Sequence, residues 1–416
     1  MWKLTKVAAV AAALAAAVAA HAGEVEVLHY WTSGGEAKSA AELKKMMQAK
    51  GHTWRDFAVA GGGGDSAMTV LKSRVISGNP PSAGQVRGPA IQEWASGGVL
   101  GNVDALAKSE EWDEAVPMVV ADVMKYKGNY VAAPVNVHRV NWIWASSDAL
   151  KKAGVAAMPK TWDEFFAAAD KLKAAGLIPV AHGGQNWQDF TTFESVVLGV
   201  GGPKFYQDAL VKLDDKALTS DTMKKSLETF RRIKTYTDPG APGRDWNLAT
   251  AMLIQGKAGF QLMGDWAKGE FIAAGKAPGK DFMCAAAPGT ANAFTFNVDS
   301  FILFKLKDAA AQKAQSDLAS AIMSPGFQEV FNLNKGSIPV RAGQSMDKFD
   351  DCAKASAKDF ADTAKSGGLV PSVAHGMAIA PATEGAIKDA VSQFWNDDKV
   401  SVADAMKKIA TAAKTK

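Results

Sequence analysis

Tryptophan outnumbers tyrosine twelve to five in this chain, and where the indoles fall suggests what they do. Trp31, Trp246 and Trp266 each sit beside polar or glycine-rich turn sequence, whereas Trp142, Trp144 and Trp162 sit inside strand or helix patterns. An indole within a pattern ordinarily packs, because it buries a large apolar area. An indole at a turn has a face to spare. A sugar ring matches such a face: it presents a patch of axial C–H bonds bordered by hydroxyls. The hydroxyls want Asp, Glu, Asn, Gln, Lys, Arg or His, and that pairing recurs along this sequence.

Other chemistries find less support. Gly61-Gly62-Gly63-Gly64 precedes a helix, but Asp65-Ser66 follows it instead of the Gly-Lys-Ser/Thr that meets phosphate and magnesium. An acid at that helix start caps the helix and repels phosphate, so the run reads as a flexible turn between strand and helix. There is no Gly-x-Ser-x-Gly elbow and no His-Glu-x-x-His. The six histidines, at 21, 29, 52, 138, 182 and 375, never fall four apart, and two cysteines form no cluster, so no structural zinc site is expected. Paired carboxylates facing a cleft stay open, because separation in the chain says nothing of separation in space.

Length, composition and the amino terminus set the frame. The 416 residues are too many for one core and suggest two or three domains, and 48% hydrophobic with 22% charged residues is globular. The net charge of +4, or +2 without Lys3 and Lys6, leaves no basic patch for nucleic acid or an anionic membrane. Residues 1–22 read as a signal peptide: Lys3 and Lys6, an apolar run from Val7 to Ala20, then Ala20-His21-Ala22 as the cleavage pattern. Fourteen apolar residues are too few for a permanent anchor, so the mature chain is expected to start near Gly23 and to stay soluble outside the cytoplasm. There Cys284 and Cys352 are expected to form a bridge closing a 68-residue loop, with two separately buried thiols as the alternative.

Strands and helices alternate along the mature chain. Glu24–Tyr30 reads as a strand, Glu36–Lys50 as a helix ended by Gly51, Thr53–Ala60 as a strand and Asp65–Ser77 as a helix. A short strand around Gln85 and helices at Pro89–Ser96 and Asp113–Lys125 follow. Such βα units argue for a mainly parallel sheet, whose ligands sit at strand carboxyl ends, and so near Trp31 and Gln85. Thr161-Trp162-Asp163-Glu164 is a capping box opening a helix that Gly176 stops. Tyr130–Ala145 is long, β-rich and interrupted by Pro134, more than a simple strand needs; Phe294–Phe304 reads as a long strand, and the sequence past Asp308 is mostly helical. The fold class expected is α/β in two lobes.

Several stretches carry a resemblance. They are Asn79-Pro80-Pro81 before the strand at Gln85; Pro159 to Phe165 with Lys171-Leu172 and Gly176 to Pro179; and Gly256-Lys257-Ala258-Gly259-Phe260 with Gly264-Asp265-Trp266. Over essentially the whole mature chain the sequence resembles the solute-binding component of bacterial ABC sugar importers, the family that includes maltose-binding proteins. It is most similar to the periplasmic glucose-binding branch.

That resemblance implies a two-lobed, hinged binding fold of the maltose-binding type. Residues 23–137 with 297–335 would form the amino-terminal lobe and 138–296 with 336–416 the carboxy-terminal lobe, with crossings near Asn136, Phe296 and Gly336. It implies a ligand set of Trp31, Glu36, Gln85, Arg87, Trp246, Trp266, Asp299, Lys335 and His375, with Asn186 as an extra contact. It implies a monosaccharide ligand, glucose first, a membrane permease as partner, a monomer, no cofactor and no catalysis. One departure stands out: the second aromatic that commonly follows the first tryptophan is Thr32 here, which narrows the site. Each residue has a plainer reading. Glu36 could cap its helix, Asp299 could satisfy backbone groups, Lys335 could sit at a helix carboxyl end, and His375 could be structural. Two rivals remain. One is a receptor for another sugar or solute, although no two tyrosines are adjacent as ferric ion would want, and only Arg87 suits an amino-acid carboxylate. The other is an exported carbohydrate-active enzyme using Glu36 and Asp299.

Overall fold

The computed structural model describes residues 22–415, so the expected leader lies almost wholly outside the described residues. The first strands are β1 (Glu24–His29), β2 (Thr53–Ala58), β3 (Ala83–Gln85), β4 (Lys125–Tyr126), β5 (Asn129–Tyr130), β6 (Ala132–Pro134) and β7 (His138–Arg139). Then come β8 (Trp142–Ser146), β9 (Ile178–Val180), β10 (Ala258–Leu262), β11 (Phe282–Ala286), β12 (Phe294–Asn297), β13 (Ser300–Leu303) and β14 (Leu369–Pro371). Nine helices bear on the site or its frame. They are α1 (Gly34–Ala49), α2 (Asp65–Ile76), α3 (Trp162–Ala174), α4 (Asn186–Tyr206), α5 (Trp246–Ile254), α6 (Ala267–Ala273), α7 (Pro325–Lys335), α8 (Asp351–Ser366) and α9 (Pro381–Asn396).

The molecule is a mixed α/β protein with two main sheets. The first sheet has the order β2-β1-β3-β13-β6: β1 runs parallel to β2 and β3, while β13 is antiparallel to both β3 and β6. The sheet is therefore mixed, not mainly parallel, because a strand from far along the chain returns into it beside β3. The second sheet, β11-β8-β10-β9, is also mixed. A third, β14-β12-β7, gathers segments that run between the two bodies.

Burial divides the same way. One apolar core takes residues from Val25 to Val137 and from Phe294 to Ala353; another takes Ile143 to Ala293 and Val370 to Ala410. Where the two bodies meet, glycines permit backbone contact. A Cβ on Gly35 would fall 2.7 Å from the Gly269 carbonyl carbon, and one on Gly336 would fall 2.4 Å from the Asp265 carbonyl oxygen.

Three expected elements are shorter or divided. The helix read across Asp113–Lys125 is two, Trp112–Ala115 and Met118–Met124. Val116 is extended there, as the residue before Pro117 must be to avoid the proline ring. The long β-rich run after Tyr130 breaks into β6, β7 and β8, and Phe294–Phe304 divides into β12 and β13, which enter different sheets. Half of the capping box at Thr161 forms as expected, Thr161 Oγ1 accepting from Glu164 N at 3.2 Å and opening α3, while Glu164 Oε2 accepts from the Lys160 amide instead of the Thr161 amide. Cys284 and Cys352 are bonded.

Candidate functional site

A cavity of about 380 Å³ lies between the two bodies. Its walls come from strand ends and helix starts. Trp31 and Glu36 follow β1, the second at the first turn of α1, and Asp299 links β12 to β13. Lys335 ends α7, Trp246 opens α5, Trp266 precedes α6, and His375 follows β14. Arg87, just past β3, completes eight of the nine expected residues on one surface. Gln85 is the exception. Fully buried at the end of β3, it donates from Nε2 to Asp299 Oδ1 at 3.2 Å and accepts from the Tyr30 amide, so it stands behind Asp299. Gln85 and Asn186 line an adjoining cavity instead, where Asn186 reaches Asp389.

Four indoles face the main cavity: Trp31, Trp187, Trp246 and Trp266. Trp31 is only 2% exposed and is held edge-on by Phe301, with ring centres 5.4 Å apart, and by Phe331 at 5.1 Å. Trp266 lies 4.9 Å from the His375 ring and 5.2 Å edge-on from His138. Aromatic side chains clamped this way keep their faces fixed without further ordering cost.

The ionic groups are paired yet reachable. Lys335 Nζ donates to Glu36 Oε1 at 2.6 Å, while Glu36 Oε2 also accepts the Thr32 and Ser33 amides. The helix-capping reading of Glu36 and its place on the cavity wall are therefore both true. Asp299 Oδ2 accepts from His138 Nε2 at 3.0 Å and from Asn136 Nδ2 at 3.3 Å. His138 Nδ1 bonds Asp265, which also accepts the Arg139 amide. Two buried carboxylates facing the two ring nitrogens favour the form that donates from both, which is the charged one. Burial opposes that charge, but Asp265 and Asp299 outweigh it and raise His138 above the ordinary imidazole value. Burial alone would raise Asp299; instead His138, Lys335 and Arg87 hold it well below the usual carboxylate range.

These two shifts carry opposite signs with pH. The His138 contribution to stability is complete below about pH 6.5 and is lost as pH rises through its raised folded value. The Asp299 contribution is complete above about pH 4 and is lost as pH falls toward its depressed folded value. Unfolding free energy from urea titrations is therefore expected to decline as pH rises above 6.5, with a shallower slope in His138→Gln. Equal slopes would mean that His138 is neutral in the native protein.

Sequence reasoning missed His138, Trp187, Asn297 and the glycine loop, all of which line the cavity. Asn297 is 2% exposed, and its Oδ1 has no hydrogen-bond partner among the described residues. A buried, unpaired acceptor on a cavity wall is costly unless something brought into the cavity satisfies it. Gly61 to Gly64 all take positive φ, from 60° to 115°. A Cβ on Gly63 would press to 3.0 Å on the Trp187 indole, so the loop lies flat against that ring. The loop is a cleft wall rather than only a connector.

Residues 31–320 match the family described as bacterial extracellular solute-binding protein. The chain belongs to that family. It is 48% identical over 420 residues to a probable sugar-binding periplasmic protein of Brucella suis, covering 99% of each chain. A probable sugar-binding periplasmic protein of Rhizobium meliloti is 49% identical over 399 residues, 96% of each. Among solved structures, a chitin oligosaccharide binding protein superposes with a TM-score of 0.79 at 18% identity, over 94% of this chain and 98% of that one. The fold is thus that of maltose-binding-type receptors, and members of this family bind solutes without transforming them. Among the described residues no helix is long and apolar enough to cross a membrane, and no group of potential metal ligands gathers.

Proposed function

We propose that this protein is the periplasmic receptor of an ABC sugar importer and that it holds a single monosaccharide, glucose first, in the cleft. The observation that carries the reading is one small cavity walled by four indoles, the carboxylates of Glu36, Asp245 and Asp299, a lysine and an asparagine oxygen left unpaired among the described residues. At about 380 Å³ it lies at the small end of the ~300–1,000 Å³ typical of small-molecule sites, which suits one ring better than several. Indole faces take the C–H patch of the ring. Glu36, Asp299 and Asn297 accept from hydroxyls; Lys335 donates to them.

The division of these groups supplies a mechanism. Trp31, Glu36, Asp299 and Lys335 stand on elements that pack in the first core, and Trp187, Trp246, Trp266 and His375 on elements of the second body. A ligand shifts an open–closed equilibrium only through contacts it makes differently in the two states, so a ring gripped from both sides favours the closed form. The closed form is what the permease would recognise, with the signal peptide removed and the receptor acting as a monomer. A few charge-assisted hydrogen bonds, each about 1.5–3 kcal/mol net, bring micromolar or tighter binding within reach.

Calorimetry on the mature protein with glucose, galactose, mannose, xylose and maltose tests this. Glucose is expected to bind at micromolar concentration or below, and maltose more weakly. No heat with any of the five removes the reading. Tight binding of maltose removes the single-ring part of it.

A further inference from the structure

His375 faces the cavity, but what it offers depends on which ring nitrogen carries the proton, and the surrounding groups decide that. Nδ1 lies 3.4 Å from Nη1 of Arg87, which comes from the far side of the cleft beside β3. Guanidinium has donors and no acceptor, so Nδ1 must present a lone pair to it. The proton of a neutral ring then sits on Nε2, and Nε2 lies 2.9 Å from the hydroxyl of Thr191. Thr191 Oγ1 is arranged to accept it, because its own hydroxyl hydrogen goes to the Trp187 carbonyl one turn back in α4 at 2.8 Å. Both ends of the ring thus specify the same tautomer.

The setting leaves the ring little alternative. His375 is 5% exposed and Thr191 1%, and the ring is flanked by the indoles of Trp187 and Trp266. The segment before it is pinned to the same helix: Glu194, one turn beyond Thr191, accepts from the Ser372 hydroxyl and from the Val373 and Ala374 amides. On the opposite side the bodies touch, since a Cβ on Gly88 would fall 1.9 Å from the Gly376 carbonyl oxygen. Arg87 also donates to the Gly63 carbonyl at 3.2 Å and so fastens the glycine loop at the same point.

We propose that Thr191 is a positioning residue for sugar binding: by accepting from His375 Nε2 it fixes the tautomer whose Nδ1 receives Arg87 across the closed cleft. Removal of the hydroxyl lets the proton move to Nδ1, where it opposes an Arg87 donor and disfavours closure. This rests on the receptor reading above, since it assigns a determinant of that same closure.

The experiment pairs binding with a readout of the ring itself. D-Glucose affinity is compared by calorimetry in wild type, Thr191→Val, which keeps the shape without the hydroxyl, and Thr191→Ser, which restores it. We expect about tenfold weaker binding in Thr191→Val and recovery to within about twofold of wild type in Thr191→Ser. Equal affinity in Thr191→Val overturns the proposal, as does a serine variant as weak as the valine one. In parallel, long-range ¹H–¹⁵N spectra of histidine-labelled protein without sugar, assigned by loss of the signal in His375→Asn, report the tautomer. Wild type at pH 7 is expected to show neutral His375 protonated at Nε2, and Thr191→Val a shift toward Nδ1. A wild-type ring that is charged or protonated at Nδ1, or a valine variant with unchanged spectra, overturns it. Failure of glucose to bind wild type counts against the glucose assignment alone, because the spectra need no ligand.

Discussion

Asp299→Asn is expected to weaken glucose binding by on the order of 100-fold or more while the protein still folds. Every contact of this carboxylate on the protein side comes from a donor. Oδ1 accepts from Gln85 Nε2 at 3.2 Å, and Oδ2 accepts from His138 Nε2 at 3.0 Å and Asn136 Nδ2 at 3.3 Å. An amide in its place must turn its NH₂ toward one of those donors, so a buried pair is lost whichever way it turns. The charge is lost too, leaving the His138 imidazolium with Asp265 as its sole bonded carboxylate partner. A ligand hydroxyl that donated to a carboxylate would then donate to a crowded amide, and charge-assisted bonds are the stronger kind by roughly a factor of two. Together these exceed the ~2.7 kcal/mol that corresponds to 100-fold. Calorimetry, on variant protein whose circular dichroism matches wild type, reads the loss. Affinity within about fivefold of wild type would show that Asp299 serves the frame around His138 and not the ligand.

How far the sequence leads is best seen residue by residue. Trp31 and Glu36 were legible because β1 and α1 carry clear periodic patterns, and a residue between a strand and a helix of an α/β sheet faces the cleft. Gln85 shows where that logic stops. A polar residue at a strand end meets the cleft, but alternation decides which face it takes, and the phase cannot be fixed over a three-residue strand such as β3. Trp187 was hidden by its neighbours, since Asn186, Gln188, Asp189, Thr191 and Thr192 leave no apolar stripe that would place its face, and an indole inside a helix reads as packing. His138 carried no signal in the sequence beyond its position. Only the third dimension brings Asp265 and Asp299, more than a hundred residues away in the chain, to its two nitrogens. Asn297 had a signal that went unused, lying two residues before Asp299 and therefore plausible on the same face of an extended chain. The antiparallel return of β13 into the first sheet had none, because pairing over some two hundred residues leaves no local trace.

Reduction of the Cys284–Cys352 bond is expected to cost about 4 kcal/mol of unfolding free energy, on the loop entropy of the 68 residues it closes. The bond joins unlike partners. Cys284 lies in β11 of the second sheet, whereas Cys352 lies in the first turn of α8, whose Ala353 packs in the first core. Two ion pairs run beside it between the same regions: Lys268 of α6 to Asp350 at 3.0 Å, and Arg139 of β7 to Asp359 of α8 at 2.6 Å. Arg139 is fully buried, so these pairs persist only while α8 stays docked, and an undocked helix would leave a guanidinium short of its partner. With the covalent link gone, α8 is held by those pairs and by small apolar contacts from Ala353, Ala357 and Phe360. Guanidinium titrations of oxidised protein, of protein in dithiothreitol and of the Cys284→Ser/Cys352→Ser double variant should place the last two together and well below the first. The same midpoint for all three would show that the packing of α8 and its ion pairs already suffice. A double variant much less stable than reduced wild type would assign the loss to the serine hydroxyls instead, since Cys352 is 5% exposed and a hydroxyl there must find a partner.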